Sequence, residues 1–113
     1  MLYLIIALFA FAAVFGIILA VAIYVKKPST PKGVVAAHGI FAATGLGLLI
    51  YYMIQNADNY PKLGLILFVV AALGGAVLFI NDMRGKPGPF GIVIVHALVA
   101  VSAFVLLLAF ASF

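Results

Sequence analysis

His38 and His96 are the only ionisable side chains of this sequence set well inside long apolar runs. An imidazole in such a place can ligate a metal, relay a proton, or simply hydrogen-bond a neighbouring carbonyl. Ionisable residues at membrane depth are costly, and by default they face a bundle interior and mark a functional site. The two histidines also share a context. After a shift of 58 residues, Pro31-Lys32-Gly33-Val34-Val35-Ala36-Ala37-His38 falls on Pro89-Phe90-Gly91-Ile92-Val93-Ile94-Val95-His96. Downstream, Ala42 falls on Ala100, Thr44 on Ser102, and Leu48-Leu49 on Leu106-Leu107; upstream, Gly16 falls on Gly74 and Ala13 on Ala71. Alanine and leucine matches are cheap in an apolar chain, but a shared Pro, Gly and His at fixed spacing is not. The sequence therefore reads as a tandem two-helix repeat, with units 1–58 and 59–113.

The elements that position these histidines follow from composition. Of 113 residues, 69% are hydrophobic and only 7% are charged. A soluble domain is about 45–50% apolar and about 25% charged, so this chain is expected to be an integral membrane protein. A membrane-spanning helix needs about 20 mainly apolar residues. Four runs qualify, at 2–25, 34–55, 63–80 and 91–112. The segments between them are short and rich in Pro, Gly, Lys and Asn, which break helices. Connections this short predict an all-α, up-down-up-down four-helix transmembrane bundle with one domain and no soluble lobe. The first run lacks the basic n-region and the small-residue cleavage site of a signal peptide, so it reads as a retained span.

Charge gives the orientation. Loop 26–33 carries Lys26, Lys27 and Lys32, and loop 83–90 carries Arg84 and Lys86, whereas Lys62 stands alone on the other side with Asp58. The positive-inside bias places both basic loops in the cytoplasm and both termini outside; the expected location is a bacterial inner membrane. The five tyrosines suit aromatic belts at the interfaces. Composition also excludes several functions. There is no Cys for disulfides or thiolate metal sites, and the only carboxylates are Asp58 and Asp82. Paired-carboxylate hydrolysis and acidic metal clusters are thus ruled out. No Ser/His/Asp set or Gly-rich phosphate loop supports a hydrolase or transferase, and no basic face supports nucleic-acid binding.

Each histidine stands five residues beyond its entrance glycine, about 7–8 Å along a helix. Both are therefore expected at one depth, inside the hydrocarbon and near the cytoplasmic face. In this bundle the second and fourth helices lie on a diagonal. Neighbouring axes about 8–10 Å apart make that diagonal about 11–14 Å, close to what two imidazoles need to hold one metal ion from opposite sides. Zinc takes four ligands, or three and a water, so a zinc site would require a dimer. Haem iron needs only two axial ligands, because the porphyrin supplies the rest. Haem is the better-matched metal cofactor.

Other residues fit around that reading. Gly39, Ala43 and Gly47 form a seam of small residues on the second helix, Ala12, Gly16 and Ala20 form one on the first, and Gly74-Gly75 lie in mid-span on the third. Such seams admit a flat macrocycle, and they also serve ordinary contact between membrane helices. Arg84 and Lys86 are the candidate propionate partners among the basic residues. Phe41, three residues from His38, shares its side of the helix and could line a haem edge or a quinone. Phe90 lies near the start of the fourth helix.

Matched histidines in a four-span bundle resemble the small bacterial b-type membrane cytochromes, broadly the cytochrome b561-like class. The resemblance rests on architecture and on His38 and His96, and it extends loosely over the whole chain. It implies that both are axial ligands of a single haem b, held non-covalently since no Cys is present. Larger members of that class carry four ligating histidines and two haems; only the cytoplasmic-side pair is present here, so no second redox centre is implied. The expected function is electron transfer near the cytoplasmic face, with quinol as a candidate partner, as an electron carrier or a quinol-linked oxidoreductase. Two other classes suit the sequence: a small histidine-dependent transporter of protons or metal ions, and a structural or anchor subunit of a larger membrane complex. A homodimer, with ligands meeting across its interface, is a further arrangement the seams permit.

Overall fold

Prolines precede three of the four helices of this protein. The computed structural model describes residues 1–112, in the order α1 (Leu2–Tyr24), α2 (Lys32–Gln55), α3 (Lys62–Met83) and α4 (Phe90–Ser112). The carbonyl of Pro31 accepts from the amides of Val34 and Val35, that of Pro61 from Leu65, and that of Pro89 from Ile92 and Val93. Proline fixes φ and disfavours helix in the residue before it. It therefore ends each connection and leaves its carbonyl free to begin the next helix.

All four helices are long and apolar enough to cross a membrane, and the bundle is 46 Å long, longer than the roughly 30 Å hydrocarbon layer. Ile17, Ile40, Leu73 and Leu98 are each about two-thirds exposed. Helices hydrophobic on every side, interior and exterior alike, belong in lipid. The chain is an integral membrane protein.

Each helix packs on its chain neighbour. The hairpins α1–α2 and α3–α4 are the tighter units, and they meet through lighter α1–α4 and α2–α3 contacts. The diagonals α1–α3 and α2–α4 are bridged only by side chains. In the half of the bundle away from the basic connections, Ile5, Phe9, Leu49, Leu65, Phe68, Ala103 and Leu107 form the buried core. Phe9 and Phe68 stack across the α1–α3 diagonal with centroids 3.9 Å apart and planes 5° from parallel. Gly45 makes room for this stack, since a Cβ there would stand 3.2 Å from the Phe9 ring. In the other half the buried apolar residues are small: Ala12, Ala22, Ala71 and Val93. Phe9→Ala is expected to cost about 3–5 kcal/mol, seen as a large fall in thermal midpoint in detergent; Phe79→Ala, on the lipid face, should shift it little.

The helix limits differ from the sequence expectation chiefly at α3, which continues through Asn81 and Asp82 to Met83. Both polar residues find partners that let the helix run on. Asn81 Nδ2 donates to the Gly88 carbonyl at 2.9 Å, and the Asp82 carboxylate accepts from Thr30 and Lys32. α2 likewise starts two residues early, at Lys32, because Pro31 already supplies its first acceptor.

Candidate cofactor-binding site

α2 and α4 carry the same stripe. His38, Gly45 and Leu49 recur as His96, Ala103 and Leu107, and spacings of seven and four residues keep each set on one helix face. Gly45, Leu49, Ala103 and Leu107 are buried, so the histidines at the head of each stripe also point inward. The two rings meet across the α2–α4 diagonal with centroids 6.3 Å apart and planes at 79°.

Each ring is anchored on the first helix of its own hairpin. His38 Nδ1 lies 2.7 Å from the Ala12 carbonyl oxygen, and His96 Nδ1 lies 2.8 Å from that of Ala71. A carbonyl only accepts, so Nδ1–H donates in both rings and the lone pair of each neutral imidazole resides on Nε2. No buried nitrogen or oxygen of a side chain lacks a partner among the described residues. The Nε2 atoms, which make no hydrogen bond there, are therefore not fully buried.

Glycines give the rings their space. A Cβ at Gly16 would stand 3.0 Å from Cε1 and 3.3 Å from Nδ1 of His38; one at Gly75 would stand 3.1 Å from Cε1 of His96. Gly74 is also beneath His96, but at an ordinary 3.6 Å from Nδ1. The contacts thus pair Gly16 with Gly75, Ala12 with Ala71 and Phe9 with Phe68, one residue off the uniform offset that the sequence comparison suggests. The connection 84–89 is one residue shorter than 25–31, which absorbs the difference before the second histidine.

The remaining sequence candidates divide. Gly39 is exposed, with nothing within 4 Å of a Cβ built there, and Gly47 is equally open. Their seam faces away from the rings, because residue 47 lies half a helical turn from the direction of His38. It does not contribute to this site. Phe41 is half-buried but stacks on Phe11 and Phe15 of α1, with centroids at 5.4 and 5.7 Å. It serves the α1–α2 contact. Phe90 meets Tyr24 at 5.3 Å. Arg84 and Lys86 are exposed on the 84–89 connection, at the histidine end but about two helical turns from the rings along α4.

Sequence reasoning overlooked Thr30 and the part played by Asp82. Thr30 Oγ1 donates to Asp82 Oδ1, Lys32 Nζ donates to Asp82 Oδ2 at 2.7 Å, and Lys32 Nζ also reaches Thr30 Oγ1 at 3.0 Å. Asp82 and Thr30 are buried. A carboxylate in the last turn of a helix opposes the helix dipole, and that unfavourable position was the available signal that Asp82 must have partners.

The donors the pair could offer a metal are two imidazole nitrogens, one from each hairpin. Imidazole nitrogens bind metals at about 2.0–2.1 Å, which places two rings on one ion with centroids about 6 Å apart. Ligating histidines usually donate their other N–H to a carbonyl or carboxylate, as both rings do here. No cluster of three or more His, Asp or Glu exists among the described residues. A zinc site within one chain is therefore not supported. The chain matches no protein-family model, no curated protein and no solved structure.

Proposed function

We propose that this chain is a membrane haem b protein in which His38 and His96 would hold the haem iron, and that it carries electrons at the basic end of the bundle. The observation that supports this reading is the paired geometry: two inward imidazoles 6.3 Å apart, each with Nδ1 donating to a carbonyl and Nε2 available. Bound haem iron would supply one-electron chemistry by alternating between ferric and ferrous states. The rest falls to this chain's own residues. The Ala12 and Ala71 carbonyls fix the tautomer and rotation of the ligands and raise their basicity. Gly16 and Gly75 let the rings lie close against α1 and α3. The Phe9–Phe68 stack closes the interior on one side and keeps water from approaching from the far end. Arg84, Lys86, Lys26 and Lys27 supply positive charge at the end where propionates would emerge.

The charge bias of the loops supports a cytoplasmic basic end in an inner membrane. Quinol, dissolved in the same bilayer, is the donor to test first. The experiment is a visible spectrum of protein purified after haem-replete expression, oxidised and then reduced with dithionite. A sharp, low-spin b-type spectrum is expected. A colourless preparation overturns the reading. If pigment is present, reduction by a short-chain quinol analogue tests the donor.

A further inference from the structure

The distance between the two rings is a property of how the hairpins are joined, because each ring is fixed only within its own hairpin. His38 bonds Ala12 within α1–α2, and His96 bonds Ala71 within α3–α4. Away from the basic end the hairpins are held together by the Phe9–Phe68 stack and the core around it. No comparable cluster lies at the basic end, where the buried apolar residues are small. There, among the described residues, every side-chain hydrogen bond between hairpins converges on one carboxylate. Asp82 of α3 accepts from Thr30 in the 25–31 connection and from Lys32 at the start of α2. This tie crosses the α2–α3 seam. Lys32 stands six residues before His38 on the same helix, and Asp82 stands seven residues after Gly75, which carries the His96 ring. Lys32 is half exposed but Asp82 is not, so the acceptor end of the tie is protected from water.

We propose that Asp82 is a positioning residue for the histidine pair: held by Thr30 and Lys32, its carboxylate closes the basic end of the α2–α3 seam and fixes the separation of His38 from His96. Its effect on hairpin spacing is independent of any cofactor; its effect on ligation rests on the haem reading above.

The test uses the absence of Cys in the natural sequence. Spin labels are attached to Lys27→Cys in the first connection and Met83→Cys at the end of α3, both exposed, and their separation is measured by pulsed electron resonance in nanodiscs. Asp82→Ala and Thr30→Val should each lengthen and broaden the distance distribution, and Asp82→Glu should restore much of the parent distribution. Thr30→Val deletes only a hydroxyl, so it decides the matter if Asp82→Ala fails to fold. In haem-loaded protein the same variants should shift the g values of the ferric low-spin signal. Unchanged label distances overturn the proposal, and so do lengthened distances with unchanged g values. If the parent protein takes up no haem but the label distances respond, the haem reading falls and the hairpin tie stands.

Discussion

If His38 and His96 hold a haem as proposed, His38→Ala is expected to convert its low-spin spectrum to a high-spin one, and His96→Ala to do the same. Each hairpin supplies one imidazole, and the sequence holds no other His and no Cys. Of its three methionines, Met53 packs against the core in the far half, and Met1 and Met83 are exposed at the ends of α1 and α3. Mutating only the hydrogen-bond partner of a metal-bound histidine typically costs about 10–100-fold in affinity. Loss of the ligand itself should cost more, and the double variant should retain no pigment. The measurement is haem content per protein together with the reduced-minus-oxidised spectrum. Retention of the parent spectrum in either single variant would show that the pair does not hold the group. Ser102→Ala is a suitable control, since Ser102 only donates to Leu98 in its own helix.

The second large effect concerns the glycines. Gly16→Leu and Gly75→Leu should each abolish the paired site, whereas Gly39→Leu and Gly47→Leu should leave it intact. At Gly16 the first added carbon already stands 3.0 Å from the His38 ring, and at Gly75 it stands 3.1 Å from the His96 ring. The rings cannot swing aside without giving up their bonds to Ala12 and Ala71. Overpacking of this kind costs about 1–3 kcal/mol, and the displaced imidazole loses its approach to its partner as well. At Gly39 and Gly47 an added Cβ meets no other atom within 4 Å. The readouts are the low-spin spectrum for ligation and the thermal midpoint for stability. Similar behaviour of all four variants would mean that the rings do not lie against α1 and α3 as described.

The glycine contrast shows where sequence reasoning reached its limit. Four spans were legible because their length and apolarity are large signals, and the histidines stood out because they recur at matching places in a chain with few polar residues. The direction of each small seam was not legible from small-xxx-small spacing, which is the same on every face. It becomes legible once His38 is taken as inward: Gly45 and Leu49 then share its direction and Gly47 opposes it. The carbonyls of Ala12 and Ala71 carry no side-chain signature at all, since every residue offers a carbonyl. The Thr30–Asp82 contact joins residues 52 positions apart, and it depends on which helices become neighbours. Only the awkward position of a carboxylate at a helix end hinted at it.

The unequal halves of the bundle bear on the order in which such a protein is completed. The end packed with Phe, Leu and Ile holds all four helices in register without help from the histidine layer. The other end closes on rings, small residues, the Tyr24–Phe90 contact and a single ionic tie. A scaffold of this kind can be inserted and assembled by the cell first, and its histidine end can be rearranged afterwards without undoing the contacts that hold it together.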